Sequence, residues 1–373
     1  MKKYLVFELK KILLPLIALT AIMSIVYIIT MSNIWLDTQN HIRGAFLEPI
    51  LWPLLFASLI VPMFVFSFKN DPRALDCIYT LPINRKKIYL VKSIVAVVLV
   101  LVSFVISFWL GILTLAFRAP TNVNFIYYLP TFLIFSMISV LVIGLSSFMF
   151  TRANRNIDGA IFVVFGLFAL LILVAPFITV IEMSGTNIDI IIRRSWLDVG
   201  HYNLFALYQS LINTMERLLI IPTFFRPVIL PQQVAVMVTV GIIFFVACIL
   251  FWVGLIFTPN MQKAEEAGND SNSLFGYKTF IPFMTISLMA TVISRIWIRT
   301  AAAFIPITII VSTIIVYVIY IIYRRSFKIK KVDLILGVSS ILIGVLLGVI
   351  GFLIINWGWW DGTIGTPGFI LLY

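Results

Sequence analysis

Apolar residues run through this chain in blocks, separated by short polar segments. A helix needs about 20 apolar residues, at about 1.5 Å each, to cross a hydrocarbon core of about 30 Å. Nine stretches meet that requirement: residues 12–31, 50–68, 88–117, 126–150, 157–181, 234–258, 280–296, 304–323 and 334–355, of which the seventh is the shortest. The pattern therefore predicts an all-α polytopic membrane bundle of about nine transmembrane helices. Pro15, Pro53, Pro62, Pro176 and Pro306 stand where they would kink their spans, which membrane helices tolerate.

The most ordered polar segment is NDPRALDCIYTLPINRKKIYLVK, residues 70–92. Asp71 is placed to cap a helix whose first position is Pro72, where no backbone donor is needed. That helix should stop near Thr80, because Leu81 precedes Pro82 and the residue before a proline is pushed out of the helical region. Asn84 then caps a second helix, with Arg85, Lys86 and Lys87 in its first turn, that runs on into the apolar stretch from Ile88. The result is a helix of about nine residues pinned between two spans, too short to be stable alone in water and so in need of a partner or a membrane surface.

Other polar segments are less specific. MKKYLVFELKK at the start has the mixture of a helix lying in the membrane interface, or of a basic topology anchor. In the segment 182–233, NLFALYQSLINTMERLLI places Leu204, Leu207, Tyr208, Leu211, Met215 and Leu218 on one helical stripe, with Gln209, Asn213, Glu216 and Arg217 elsewhere. That is an amphipathic helix on the outer surface, which could cap an export path, though packing against the spans or the headgroups is its simpler use. NMQKAEEAGNDSNSLFGYK, residues 260–278, is the longest other loop on the same side as the 70–92 island, and the tryptophans of NWGWWDGTIGTPGF suit an interfacial belt.

Composition agrees with a membrane protein: 62% of residues are hydrophobic, 11% are charged and the mean hydropathy is +1.11. The net charge of +12 would suit nucleic acid, but its distribution speaks for topology and against a nucleic-acid partner. With the amino terminus inside, 19 of the 27 basic residues fall on the cytoplasmic side and 8 outside, as the positive-inside rule requires. An odd number of spans puts the carboxyl terminus outside. The first span is too long for a signal-peptide core and is read as retained.

Candidate chemistry is sparse. There is no GxxxxGK[ST] phosphate loop, no HExxH and no CxxC pair, and Cys77 and Cys248 form no disulfide framework. Ser195, Asp198 and His201 share types with a hydrolase triad, but triads are defined by geometry and a spacing of three on one short segment reads as an ordinary polar loop. Glu265 and Glu266 are adjacent in a hydrophilic loop without a histidine beside them, and His41 and His201 are the only histidines. The expectation is no catalytic residue, no cofactor and no metal site. Lys92, Asp158 and Glu182 lie near span ends, and Arg295 and Arg299 at the outer end of the seventh, so no titratable path crosses the bilayer as an ion-coupled carrier would need. No polar segment reaches the roughly 100 residues of a catalytic domain, so any ATP hydrolysis must come from another chain.

KKYLVFELKK, LDCIYTLPINRKKIYLVKSI and QKAEEAG together resemble the integral-membrane permeases of bacterial ATP-binding-cassette exporters, the type-2 permease family. The pattern LPxxRxxIxxxK carries most of the resemblance, here Leu81, Pro82, Arg85, Ile88 and Lys92. It implies a coupling helix between the second and third spans that touches the ATPase subunit, with Asp71, Arg73, Leu75, Asp76, Ile78, Leu81, Pro82, Arg85, Lys86 and Lys87 as the contact. It also implies a six-span core with both ends inside. On that basis residues 1–258 form a permease core with an amino-terminal interfacial helix and a coupling loop at 70–87, residues 259–279 a cytoplasmic loop, and residues 280–373 a three-span extension. Two ATPase subunits binding ATP and Mg, and a second copy or a related permease, are the implied partners in a bacterial plasma membrane. A hydrophobic or amphipathic cargo such as a peptide, lipid or antibiotic suits the apolar spans. A secondary carrier, an intramembrane enzyme and a non-transporting scaffold or sensor are the rival readings.

Overall fold

A computed structural model describes residues 2–33, 35–36, 42–43, 46–118, 125–167, 245–257, 277–298, 304–324 and 331–360, together with positions 208, 209, 211–213, 215, 216 and 242. The elements are α1 (Lys2–Lys11), α2 (Leu13–Ser32), α3 (Glu48–Phe66) with a 3-10 turn (Ser67–Asn70), α4 (Pro72–Tyr79), α5 (Arg85–Arg118) and α6 (Phe125–Thr151). They continue with α7 (Asn156–Leu167) and α8 (Phe245–Phe257), then α9 (Tyr277–Ile298), α10 (Phe304–Arg324) and α11 (Lys331–Trp360). Apart from the two-residue antiparallel pairing of β1 (Trp35–Leu36) with β2 (Ile42–Arg43), every described element is helical.

Five of the described helices are long and apolar enough to cross a membrane: Leu13–Ser32, Glu48–Asn70, Arg85–Arg118, Phe125–Thr151 and Lys331–Ile350. They correspond to the first four expected spans and the ninth. The expected fifth, sixth and eighth spans appear over the described residues as shorter apolar helices, Asn156–Leu167, Phe245–Phe257 and Ile309–Ile321. The seventh falls within α9, which has Lys278 and Arg295 towards its two ends and is not among the five. Among the described residues the count of membrane-length helices is thus five.

The chain divides into two compact units, Met1–Gly166 with Leu204–Ser271, and Leu167–Asn203 with Asn272–Tyr373. In the first, α2 packs along α5, and α3 packs against both α5 and α6. These faces are held by hydroxyls as well as by apolar contact, because a hydroxyl that already bonds its own helix has a second site to offer a neighbour. Ser103 donates to Leu99 O at 2.8 Å and accepts from Thr20 at 3.0 Å, Ser24 and Ser107 lie 2.9 Å apart, and Ser58 and Ser139 2.6 Å apart. Close approach needs a missing side chain at one point. A Cβ on Gly111 would lie 2.0 Å from the Tyr27 ring, so glycine there is what lets α2 and α5 meet. Phe104 stacks on Phe132 at 5.5 Å, joining α5 to α6.

In the second unit α9 packs on α11, with α10 against both. Met289 and Ile341 form its core, partly covered by Ile309, Val345 and Val349. A Cβ on Gly344 would lie 2.8 Å from Ile286 O, a close helix-to-helix contact of the kind small residues permit in membranes.

Candidate coupling surface

The two caps read from the sequence are both formed. Asp71 Oδ1 accepts the Arg73 backbone N–H at 3.0 Å, with Pro72 in the first turn. At the other end Thr80 N donates to Asp76 O at 3.1 Å, and Leu81 and Pro82 carry the chain out of the helix, Ile83 N closing a tight turn on Leu81 O at 2.7 Å. Asn84 Oδ1 then accepts from Lys86 N at 3.0 Å, and α5 begins at Arg85. The local chemistry therefore fixes an eight-residue α4 between two long apolar helices.

Two faces of α4 differ sharply. Asp71, Arg73, Asp76 and Cys77 are exposed, as are Leu81, Pro82, Arg85, Lys86 and Lys87 just beyond, and Ile78 is half-buried. Leu75 is 3% exposed. It packs into the chain's own core, whereas Asp71, Arg73 and Asp76 of the expected contact stand on the outside. The Arg85 guanidinium stacks over the Tyr79 ring at 4.4 Å and the Lys86 ammonium lies 5.9 Å from the Phe257 ring, so these cations lean on the bundle.

What lies behind α4 was not visible in the sequence. Lys69, in the 3-10 turn just before α4, is 5% exposed and donates to Ala153 O at 2.5 Å and also to Thr151 O. Its charge thus meets the carbonyl end of α6, where a helix dipole favours a cation. Asn70 donates to Asn156 Oδ1 at 2.9 Å, reaching the start of α7. Lys92, one turn beyond Ile88 in α5, forms a buried ion pair with Glu8 of α1 at 2.7 Å and lies 5.1 Å from the Phe68 ring. Tyr89 packs edge-on to Phe68 at 6.3 Å and against Phe66 at 5.7 Å. The end of the bundle that carries α4 is therefore one contiguous cluster drawing on α1, α3, α5, α6 and α7. Glu8 and Lys92 stand 84 residues apart in the chain, and only tertiary placement pairs them.

A second polar cluster stands at the opposite end of α3. Tyr208, Ile212 and Glu216 are buried at helical spacing, while Leu211 and Met215 are half-buried. The buried stripe therefore corrects the expected one: Glu216 is on the packed face. The reason is the start of α3, whose unpaired backbone donors it takes, accepting from Phe46 N at 2.8 Å and Leu47 N at 2.6 Å. Burial pushes the Glu216 carboxyl up, against the backbone N–H groups of Leu47 and Phe46 that pull it down. Gln209 accepts from Trp52 Nε1 at 3.0 Å and donates to Glu48, and Tyr208 donates to Leu51 O at 2.6 Å. Packing on the bundle is thus the role of this segment over its described residues; Leu204, Leu207, Arg217 and Leu218 lie outside them.

Ser195, Asp198, His201, His41, Glu265 and Glu266 also lie outside the described residues, as do the loop 260–276 and the end 361–373. Among the described residues no group of three or more His, Cys, Asp or Glu side chains is placed to hold a metal ion. No family model, curated protein or solved structure matches this chain.

Proposed function

We propose that this chain is the transmembrane subunit of an ATP-driven exporter, a permease of the type-2 kind, with ATP and Mg bound by separate ATPase subunits that dock on α4. The observation that carries this reading is a capped, two-faced helix of eight residues hung between the long apolar helices α3 and α5. Its inner face is fastened through Leu75, and its exposed face presents Arg73 and Asp76, with Asp71 and Leu81 exposed just beyond its two ends. A helix this short has no independent stability. Capping at both ends and anchoring to the bundle turn it into a rigid contact, through which a partner's movement would be passed to the helices behind it.

In this reading two ATPase subunits close on ATP and push α4. The push reaches α3 and α5 through the chain and reaches α6 and α7 through Lys69 and Asn70. Paired with a second copy or a related permease, the helices then shift between inward- and outward-open arrangements around an apolar or amphipathic cargo. The membrane is a bacterial plasma membrane, with the amino terminus cytoplasmic and the carboxyl terminus outside, as the distribution of Lys and Arg favours.

The test is co-purification of the tagged chain with its ATPase. Asp76→Lys with Leu81→Asp changes two exposed positions and leaves the buried anchor alone. The reading expects normal insertion with loss of ATPase binding and transport, since apolar anchors supply affinity and complementary charge guides the encounter. Full binding and transport by this variant would overturn it.

A further inference from the structure

Hydrogen bonds sort the long helices of the first unit into two pairs. Helices α1 and α2 run on as one: Ile12 N donates to Glu8 O at 3.2 Å and Leu16 N to Ile12 O at 2.8 Å. The break between them reflects the bond that Pro15, lacking an N–H, cannot give to Lys11 O. This continuous helix lies parallel to α5 at a nearly fixed offset. Glu8 pairs with Lys92, 84 residues on, Thr20 with Ser103 and Ser24 with Ser107, each 83 on, and Arg118 donates to Ser32 O, 86 back. The Tyr27 ring fills the notch left by Gly111. One offset kept from Glu8 to Ser24, about 24 Å of helix, holds the two helices in a single register.

Helices α3 and α6 repeat the arrangement. They too are parallel, with Ser58 against Ser139 at an offset of 81 and Ser146 donating to Leu59 O at an offset of 87. Lys69 closes their inner end on Thr151 O and Ala153 O, 82 and 84 residues on. Each pair thus has hydroxyls along its middle and a buried lysine at its inner end, Lys92 in one and Lys69 in the other. Between the pairs the meeting surface is aromatic. Phe104, Phe108 and Trp109 of α5 lie 5.5, 5.7 and 5.7 Å from the Phe132 ring of α6, and Tyr89 lies 5.7 Å from Phe66 of α3. Hydrogen bonds are directional and fix a register, whereas apolar contact is non-directional and lets packed helices shear.

We propose that this unit works as two rigid bodies, α1–α2 with α5 and α3 with α6, which shear along the aromatic seam, and that α4 is the strap joining them. The two ends of α4 belong to different pairs. Its start follows Lys69 and Asn70, which bond Ala153 O and Asn156 Oδ1 at the end of α6. Its end leads through Pro82 and the Asn84 cap directly into α5. A force on α4 therefore acts on one pair against the other. That a docked ATPase supplies the force rests on the exporter reading; the division into pairs does not.

The experiment uses the full chain with Cys77→Ser, which leaves only the buried Cys248, reconstituted without any ATPase in phosphatidylcholine vesicles. Spin labels at exposed positions give three distances: Ile25→Cys with Leu90→Cys inside the first pair, Phe64→Cys with Ile126→Cys inside the second, and Leu90→Cys with Ile126→Cys across the seam. Helical rise makes each about 30 Å. The distance across the seam should be distributed more broadly than the other two by about 1–2 Å, the scale of helix shifts at packed interfaces. Ser24→Ala with Ser107→Ala should broaden only the first within-pair distance, and Ser58→Ala with Ser139→Ala only the second. Equal widths for all three distances would overturn the proposal, as would hydroxyl changes that leave their own pair unaltered or broaden the other pair as much. With no ATPase present, the result holds whether or not one docks on α4, which the Asp76→Lys, Leu81→Asp variant reads separately.

Discussion

Breaking the Glu8–Lys92 pair from either side should be far more damaging than removing it whole. Lys92 is 6% exposed and Glu8 4%, so each charge depends on the other for solvation. Glu8→Met leaves the ammonium beside the Phe68 ring, 5.1 Å away, without its carboxylate, and Lys92→Met leaves a buried carboxylate. Stranding one member of such a pair costs about 3–5 kcal/mol, whereas replacing both by apolar groups of similar volume is often near neutral. At about 2 °C per kcal/mol for a large domain, each single variant should melt about 6–10 °C lower than the parent, and the double variant close to it. The chain supplies its own probe. In a Cys77→Ser background, a fluorogenic thiol reagent reacts only when heating exposes Cys248, which is fully buried. Scans at one heating rate for parent, singles and double close the cycle. Additive single effects, or singles that melt within about 1 °C of the parent, would refute the pair as a buried, mutually solvating contact.

Other outcomes follow from the same structure. Lys69→Met removes a cation from Thr151 O and Ala153 O at the end of α6; at about 1.5–3 kcal/mol for each charged hydrogen bond, the same thiol scan should show a loss of about 3–6 kcal/mol, with Lys69→Arg milder. Glu216 binds its proton more tightly in the folded chain than the ordinary value of 4.5, so its contribution is fully present below 4.5 and is lost as pH rises through the folded value. Melting of the parent relative to Glu216→Gln, compared at mildly acidic and neutral pH, should therefore favour the parent more on the acidic side; the opposite trend would refute the burial argument. Leu75→Asp buries an unpaired charge and should destabilise by several kcal/mol, about 3 or more, whereas Leu81→Asp, 38% exposed in the parent, should leave melting unchanged and act only on partner binding.

Which features were legible in the residues follows from how local their causes are. Asp71, Pro72, Pro82 and Asn84 act within a few positions of themselves, and the start and end of α4 and the start of α5 fall where those caps put them. Apolar run length is likewise local, and α2, α3, α5, α6 and α11 were read from it. The inward turn of Leu75 was not legible, since a helix of two turns offers several apolar side chains and tertiary packing chooses among them. Glu216 was assigned to a polar face because hydrophobicity alone ranks a carboxylate outward; the donors that draw it in, Phe46 N and Leu47 N, lie 170 and 169 residues away in the chain. The same holds for Lys69 and Lys92. Each could be counted as a positive charge on one side, but its acceptor sits on another helix more than 80 residues away.

The claim that energy enters through α4 from a separate ATPase is tested most directly at Cys77, an exposed thiol on α4 in a chain whose other cysteine is buried. A photoactivatable crosslinker attached to Cys77 in native membranes, followed by mass spectrometry of the adduct, reads what stands against that face. The account predicts an adduct with a chain carrying a GxxxxGK[ST] phosphate loop, formed from the cytoplasmic side and altered by ATP. Adducts only with lipid or with a second copy of this chain, or labelling of Cys77 only from outside, would contradict it.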